Sequence, residues 1–200
     1  MLLLAFMSIG LLLGWGLGGA ARNLASVRIL LWPVLPVAVA LQVVPIPAGE
    51  QGIGRYLPFA ALVASFVLLA VVTAANWRLK GFLLILAGVV LNAIPIIANQ
   101  GMPVSGSAIV DVGGSVEDIP TEPGGKHHLS TNQDDLVFLG DVFPVRAPFR
   151  EVVSLGDLVM YAGAAWFLAA AMLGRPERPP PKPAGRLRRA QPSTMWESPR

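Results

Sequence analysis

Residues 57–98 read LPFAALVASFVLLAVVTAANWRLKGFLLILAGVVLNAIPIIA. Two runs without a charged side chain, 57–75 and 81–98, are separated by a short connection that holds Arg78 and Lys80. Each run has roughly the 17–25 residues that an α-helix needs to cross about 30 Å of hydrocarbon. This stretch therefore predicts two membrane-spanning helices joined by a basic turn.

Three further apolar runs, 1–21, 29–47 and 156–173, extend the same pattern along the chain. They contain no Lys, Arg, Glu or His, and Asp157 stands at the very start of the last run. A mean hydropathy of +0.62 and a hydrophobic share of 54% also exceed what a soluble domain of this length usually carries. The class of soluble globular domains is therefore excluded.

These runs together predict an all-α integral membrane protein with five transmembrane helices. The membrane domain is expected to cover residues 1–174 and to include a long extracytoplasmic loop, 99–155, between the fourth and fifth helices. Residues 175–200 are rich in Pro and Arg, and we expect them to form a disordered, basic cytoplasmic tail.

The charges between the runs predict the orientation. Loop 99–155 carries eight acidic residues against three basic ones, whereas 11 of the 15 Lys and Arg residues lie in the first connection, the third connection and the tail. Cytoplasmic connections of membrane proteins carry the excess of Lys and Arg. We therefore expect the N-terminus and loop 99–155 outside and the C-terminus inside. The abundance of Arg, Ala, Gly and Pro indicates a bacterial genome, and hence the bacterial inner or plasma membrane.

The basic pI of 9.8 does not indicate a nucleic-acid partner, because seven basic residues lie in the Pro-rich tail rather than on a folded face. Two interpretations of the tail stay open: contact with anionic lipid headgroups through its Arg residues, or a disordered segment that only sets the topology. Cysteine is absent, which excludes disulfides and thiolate-ligated metals.

Small and polar residues within the runs predict contacts between helices. Gly10, Gly14 and Gly18 recur every four residues and would form a smooth face for packing within the chain or for a dimer. Gln42 and Asn92 are strongly polar side chains at membrane depth. They would either bond across helices or line a path for a transported solute. No run has an ionisable group at its centre, which counts against an ion-coupled transporter.

Two patterns in loop 99–155 predict helix starts. Thr131 and Asp134 have the spacing of a capping box, and the apolar residues after them predict a short helix that ends at Gly140. Ser154 and Asp157 have the same spacing at the start of the fifth transmembrane run. We expect Asp141, Gly156 and Asp157 to act structurally, where the loop meets that helix.

The candidate metal ligands or acid–base residues of the loop are His127, His128, Asp134, Asp141 and Asp157. Oxygen and imidazole ligands suit zinc or manganese. Their spacing matches no known metal signature, such as His-Glu-x-x-His. We therefore expect no catalytic, cofactor or metal site, and keep these residues as the candidates should one exist.

Three segments carry a resemblance: Asn99-Gln100-Gly101-Met102-Pro103-Val104, Leu139-Gly140-Asp141-Val142 and Val153-Ser154-Leu155-Gly156-Asp157. They resemble an uncharacterised family of small bacterial multi-pass membrane proteins, known as a domain of unknown function. The resemblance covers residues 1–174. It implies a membrane protein and a structural part for the loop, including Asn99, Gly101 and Pro103, and it implies no activity.

Three functions follow as hypotheses. The first is a non-enzymatic membrane protein whose outer loop contacts a membrane or envelope protein partner. The second is a membrane-embedded metal-binding protein or enzyme that uses the His and Asp residues of the loop. The third is a small transporter or channel with Gln42 and Asn92 along its path. The absence of catalytic motifs and of buried charge favours the first.

Overall fold

The computed structural model describes residues 1–47, 52–121 and 124–174 and is mostly helical. Its α-helices are α1 Leu2–Gly16, α2 Val34–Val43, α3 Leu57–Ala75, α4 Phe82–Asn99, α5 Gly106–Asp111 and α6 Leu155–Leu173. Its strands are β1 Met102–Val104, β2 His127–Leu129, β3 Phe143–Val145 and β4 Glu151–Val153. Short 3-10 turns lie at Ala21–Ser26, Gly52–Tyr56, Val116–Asp118 and Val137–Leu139. The predicted tail, 175–200, lies outside the described residues.

Three of these helices, α3, α4 and α6, are long and apolar enough to cross a membrane. Helices α1 and α2 are apolar but have only 15 and 10 residues, so they are shorter than the runs that predicted them. Prolines shorten α2, since Pro33 precedes its first residue and Pro45 follows its end. At 1.5 Å per residue, α2 measures about 15 Å, half the thickness of the hydrocarbon.

The helices pack in the order α1, α6, α4, α3, α2. Helix α6 runs parallel to α1 and antiparallel to α4, while α3 is antiparallel to both α4 and α2. The buried core lies between α3, α4 and β1 and consists of Leu62, Phe66, Val89, Ile96 and Met102. One end of this row carries residues 100–121 and 124–154, here called the cap. The other end, residues 17–33 and 76–81, is here called the basic end.

Glycines bring α1 against α6. A Cβ atom at Gly10 would lie 2.4 Å from the Ala165 carbonyl oxygen, and one at Gly14 would lie 3.0 Å from Met172. The smooth face of α1 is therefore used within the chain. Gly18 was predicted on the same face, but it lies beyond the end of α1 in a left-handed turn, and its Cβ position has no neighbour within 4 Å.

Asparagine side chains tie the segments of the basic end together. Asn23 donates a 2.7 Å hydrogen bond to the Met172 carbonyl at the end of α6. Asn76 accepts from the Leu30 N–H at 2.8 Å and donates to the Leu30 carbonyl at 2.9 Å. The Asn23 bond satisfies a carbonyl that the end of α6 leaves unpaired, and the Asn76 bonds satisfy both backbone groups of Leu30. The Asn23 bond holds the first connection at the last turn of α6, and the Asn76 bonds join the two connections to each other.

The cap departs from the all-α prediction, because it contains two small sheets. Strands β1 and β2 pair in parallel, and β3 pairs with β4 in antiparallel register. Asp141 forms a further parallel bridge with Val104. Prolines in β1 and β3 disfavour helix there, and strand pairing satisfies the backbone groups instead.

The helix predicted after Thr131 does not form. Asp134 bonds back to the Thr131 N–H, as a capping residue would, but Leu136 then adopts a left-handed conformation with φ +54°. Only a 3-10 turn follows, Val137–Leu139, before Gly140. The reversal at Leu136 stops propagation, since a residue with positive φ cannot continue a right-handed helix.

Candidate functional site

A polar cavity of about 320 Å³ opens in the cap beside the end of α4. Its walls come from three segments: the last turn of α4, the residues before β2 together with β2 itself, and the turn that follows β2. The lining residues are Ala98, Asn99, Gln100, Thr121, His128, Thr131, Gln133, Asp134 and Asp135. Side chains that donate and accept hydrogen bonds dominate this lining, so the cavity suits a polar solute.

Asn99 attaches the far wall of this cavity to α4. Its Nδ2 donates to the carbonyls of Pro95 and Asp135 at 2.9 and 2.8 Å, and its Oδ1 accepts from the Asp135 N–H at 2.7 Å. Asp135 is therefore fixed through its backbone. Within the described part of the chain its carboxylate makes no hydrogen bond or ion pair, which leaves that group exposed for a ligand.

His128 and Asp134 form the inner wall. The His128 side chain is 1% exposed, and its Nε2 lies 3.1 Å from Asp134 Oδ1. The other carboxylate oxygen accepts from the Thr131 N–H at 2.6 Å and from the Thr131 hydroxyl at 3.1 Å. Desolvation acts to raise the pKa of Asp134, but the hydrogen bonds from Thr131 and His128 outweigh it and lower the pKa below its usual value. Asp134 is therefore ionised at neutral pH.

The second ring nitrogen of His128 sets its tautomer. Nδ1 is buried without a hydrogen-bond partner among the described residues and faces the backbone of Gly101. A proton there would be a buried donor without an acceptor, which is costly. The geometry therefore favours a proton on Nε2, which is placed to donate to Asp134. Among the described lining residues, Asp134 and Asp135 supply two carboxyl groups, and none is a Lys or Arg.

Asp141 and His127 form a separate pair, on the two segments that flank β1. His127 Nε2 lies 3.8 Å from Asp141 Oδ2, which is beyond hydrogen-bond distance. The backbone of Asp141 pairs with β1: its N–H donates to the Pro103 carbonyl at 3.0 Å, and its carbonyl accepts from the Ser105 N–H at 2.9 Å. Burial, reinforced by the Asp157 carboxylate, raises the pKa of Asp141 to about 8. This acid is mostly protonated at neutral pH.

Asp157 belongs to a closed network at the start of α6. Its Oδ2 accepts from the Ser154 N–H at 3.1 Å, and its own N–H donates to Ser154 Oγ at 3.0 Å, which makes a capping box. Asn92 on α4 donates to Asp157 Oδ1 and accepts from the Ser154 hydroxyl, both at 2.7 Å. Gly156 is required here, since a Cβ would lie within 2.0 Å of Asn92 Oδ1.

The five candidate ligands are thus distributed over three places rather than one. His128 pairs with Asp134, His127 lies near Asp141, and Asp157 is bonded to Asn92 and Ser154. Within residues 1–47, 52–121 and 124–174, no group of three or more His, Asp or Glu side chains is placed to hold a metal ion. These side chains therefore do not support metal chemistry that needs three such ligands.

A known protein family matches most of this chain. A family described as "Family of unknown function (DUF5317)" matches residues 26–169, well over half of the chain. The chain belongs to this family. The resemblance to an uncharacterised family is confirmed, and the match includes the cavity, Asp141 and the Asp157 network. No curated protein and no solved structure matches the chain.

Three other residues singled out in the family region have backbone roles. Gly101 follows α4 with a φ of +147°, and Pro103 is fully buried in β1. Gly140 approaches β1 so closely that a Cβ would lie 2.4 Å from the Pro103 carbonyl oxygen. Together they bring the Asp141 segment against β1.

Polar residues within the apolar runs bond across helices. Gln42 on α2 donates to the Ser65 hydroxyl on α3 at 2.7 Å, as Asn92 does between α4 and α6. The sequence did not predict the structural role of Lys126, whose Nζ donates to the carbonyls of Gln42 and Val44 at 2.6 and 3.0 Å. It also missed Asp135 and Thr121 as cavity residues. No local pattern marks these three, because their partners lie far away in the sequence.

Proposed function

We propose that this chain is a five-span protein of a bacterial plasma membrane and that its cap faces outside and binds a small cationic solute. Helices α1 and α2 would insert beside α3, α4 and α6, with the N-terminus outside and the C-terminus in the cytoplasm. The role would be one of binding without catalysis. Contact of the cap with an envelope protein is compatible with this arrangement.

The distribution of charge over the two ends supports this orientation. The basic end carries Arg22, Arg28, Arg78 and Lys80 and no acid. The described acidic residues lie in the cap or at the start of α6: Asp111, Glu117, Asp118, Asp134, Asp135, Asp141, Glu151 and Asp157. Basic residues gather on the cytoplasmic side of membrane proteins, so the basic end would face the cytoplasm.

One observation carries the binding proposal: the cavity of about 320 Å³ holds two carboxylates, and its described lining contains no Lys or Arg. Asp134 is held in its ionised form by its hydrogen bonds, and Asp135 is free to pair. A positively charged group with N–H or O–H donors would satisfy both the charge and the open acceptors. Anionic solutes would be repelled from the same place.

The hydrogen bonds of Gln42 and Asn92 support a packed helix bundle rather than a path for a solute through it. Gln42 is bonded to Ser65, and Asn92 is bonded to Ser154 and Asp157. Side chains that line a path for a solute would need free donors or acceptors, and these groups are engaged with one another. This arrangement supports binding at the outer surface more than transport.

A thermal-shift assay in mild detergent tests the ligand class. We expect ethanolamine, choline or putrescine to raise the melting temperature, and glycerol, a neutral solute of similar size, to leave it unchanged. Asp135→Asn should abolish the shift without loss of fold, because the backbone of Asp135 rather than its carboxylate holds the cavity wall. Asp118→Asn, which removes an exposed acid outside the cavity, is the matched control. No shift with any cation, or an equal loss in both variants, would refute the proposal.

Cysteine labelling tests the orientation, since the chain has no cysteine of its own. Ser115→Cys in the cap should react with a membrane-impermeant maleimide on intact spheroplasts. Ser26→Cys at the basic end should react only after the membrane is opened. The reverse pattern would overturn the orientation, and recovery of the protein in the soluble fraction would overturn membrane insertion.

A further inference from the structure

A second cavity, of about 190 Å³, lies at the basic end, remote from the cap. The turn between α3 and α4 forms one side of it, and the last turns of α6 form the other. Its lining residues are Val27, Arg78, Leu79, Lys80, Phe167, Ala170 and Ala171. The cavity thus joins two cations to an apolar wall, a combination that neither the family nor the proposed cap function explains.

The two cations are available to a ligand. In the described ranges neither Arg78 nor Lys80 forms an ion pair with an acid, and the basic end contains no acid in its sequence. The Arg78 guanidinium lies 5.2 Å from the centroid of the Trp77 ring, which holds it in place and leaves its N–H donors free. An Arg fork beside a Lys ammonium is a common arrangement for phosphate binding.

The remaining wall of this cavity is apolar, and packing within the bundle fixes its position. Phe167 packs edge-on against Phe82, with ring centroids 5.1 Å apart, so its position is set by the bundle. The small side chains of Ala170 and Ala171 leave room beside it on the surface of α6. A free phosphate would use only the charged side of this cavity, whereas a lipid would use both sides.

We infer that this cavity binds an anionic phospholipid, with the headgroup phosphate between Arg78 and Lys80 and an acyl chain along Phe167 and Ala171. The inference rests on the proposed membrane insertion, which would place the basic end at the headgroup level of the cytoplasmic leaflet. Lipids of that leaflet carry negative charge, and each nearby Lys or Arg strengthens their binding. The site would retain an anionic lipid through purification, rather than exchange it with the surrounding bilayer.

Native mass spectrometry of the full chain in mild detergent tests this, with phosphatidylglycerol and phosphatidylcholine added separately. We expect the wild type to retain phosphatidylglycerol in preference to phosphatidylcholine. The double variant Arg78→Gln/Lys80→Gln should bind phosphatidylglycerol roughly tenfold or more weakly than the wild type. The double variant Arg22→Gln/Arg28→Gln removes the same charge from the same end but leaves the cavity lining intact, so it should retain the lipid. Ala171→Trp, which fills the cavity and keeps both cations, should also weaken retention.

Each outcome separates the site from its alternatives. Equal loss in the two double variants would show general attraction to the basic end and would overturn the site. Full displacement of the lipid by millimolar inorganic phosphate, with Ala171→Trp unaffected, would indicate a small-anion site and refute the lipid. A wild type that fractionates with membranes yet retains no phosphatidylglycerol refutes this inference alone. A chain absent from the membrane fraction refutes the proposed function as well.

Discussion

The Asn92 side chain on α4 donates a 2.7 Å hydrogen bond to Oδ1 of Asp157 at the start of α6. The same amide accepts from the Ser154 hydroxyl, so the capping box of α6 is joined to the middle of another helix. Asn92 is 2% exposed, and its bond with the Ser154 hydroxyl is buried. This junction fixes the position at which the cap enters the bundle.

Asn92→Leu should therefore destabilise the protein by about 1–3 kcal/mol, because the buried Ser154 hydroxyl and the partly buried Asp157 carboxylate would lose their partner. Gln42→Leu is the comparison: Gln42 makes one neutral bond, to Ser65, so its loss should cost less. Thermal melting in detergent measures both. Equal melting temperatures for the wild type and Asn92→Leu would show that the junction contributes nothing.

Gly10→Ala should destabilise the contact between α1 and α6. The new methyl group would lie 2.4 Å from the Ala165 carbonyl, and relieving such overpacking typically costs about 1–3 kcal/mol. Gly16→Ala is the matched control, since a Cβ there meets nothing within 4 Å and alanine favours helix. Melting of the two variants should differ clearly. The prediction fails if Gly10→Ala melts as the control does.

Asp141 should make the protein less stable as the pH rises from about 4 to about 8. Burial, with the Asp157 carboxylate adding to it, raises the pKa of Asp141 from 3.8 to about 8. Between these values the folded chain holds a proton that the unfolded chain releases. The contribution to stability is therefore full below the unfolded pKa and is lost as the pH rises through the folded one.

Melting temperatures of the wild type and Asp141→Asn across this range measure the effect. Asparagine mimics the neutral acid, so the variant should lose less stability than the wild type as the pH rises. Asp134 and Glu151, whose pKa values are lowered, contribute stability that is lost as the pH falls through their folded pKa values. That opposite trend is common to both proteins and cancels in the comparison. Parallel curves would contradict the assignment of a proton to Asp141.

Lys126→Met should weaken the attachment of the cap to α2. Its ammonium donates to the carbonyls of Gln42 and Val44, which the end of α2 leaves without intrahelical partners. Loss of such charge-assisted bonds should cost about 1.5–3 kcal/mol and speed amide exchange in β2. Arg146→Met, which removes an exposed ion pair with Asp111, should have almost no effect. Similar melting of the two variants would argue against a special role for Lys126.

Several features follow from short stretches of sequence, because their causes are local. The three long helices are evident from uninterrupted apolar runs, and the Ser154–Asp157 spacing suffices to predict a helix start. The family assignment likewise follows from the chain alone, through residues 26–169. An apolar run of this length has few stable alternatives to a helix in a membrane, whatever surrounds it.

The lengths of α1 and α2 and the secondary structure of the cap depend on backbone geometry that is set within the packed structure. The left-handed backbone at Leu136 replaces the helix that the Thr131 and Asp134 pattern predicted. Composition does not reveal such a reversal, since leucine is ordinarily a good helix former. Just before this reversal, the backbone of Asp135 is bonded to Asn99 on α4.

Only the tertiary structure decided which side chains meet. Asn99 meets Asp135 across 36 residues of sequence, and Asn92 meets Asp157 across 65. The cap cavity and the raised pKa of Asp141 arise from such encounters, and so does the cavity at the basic end. The sequence by itself determined which segments are apolar and where the charges lie, since these are properties of the residues. Contacts between distant segments depend on how the helices pack, and no local spacing encodes that packing.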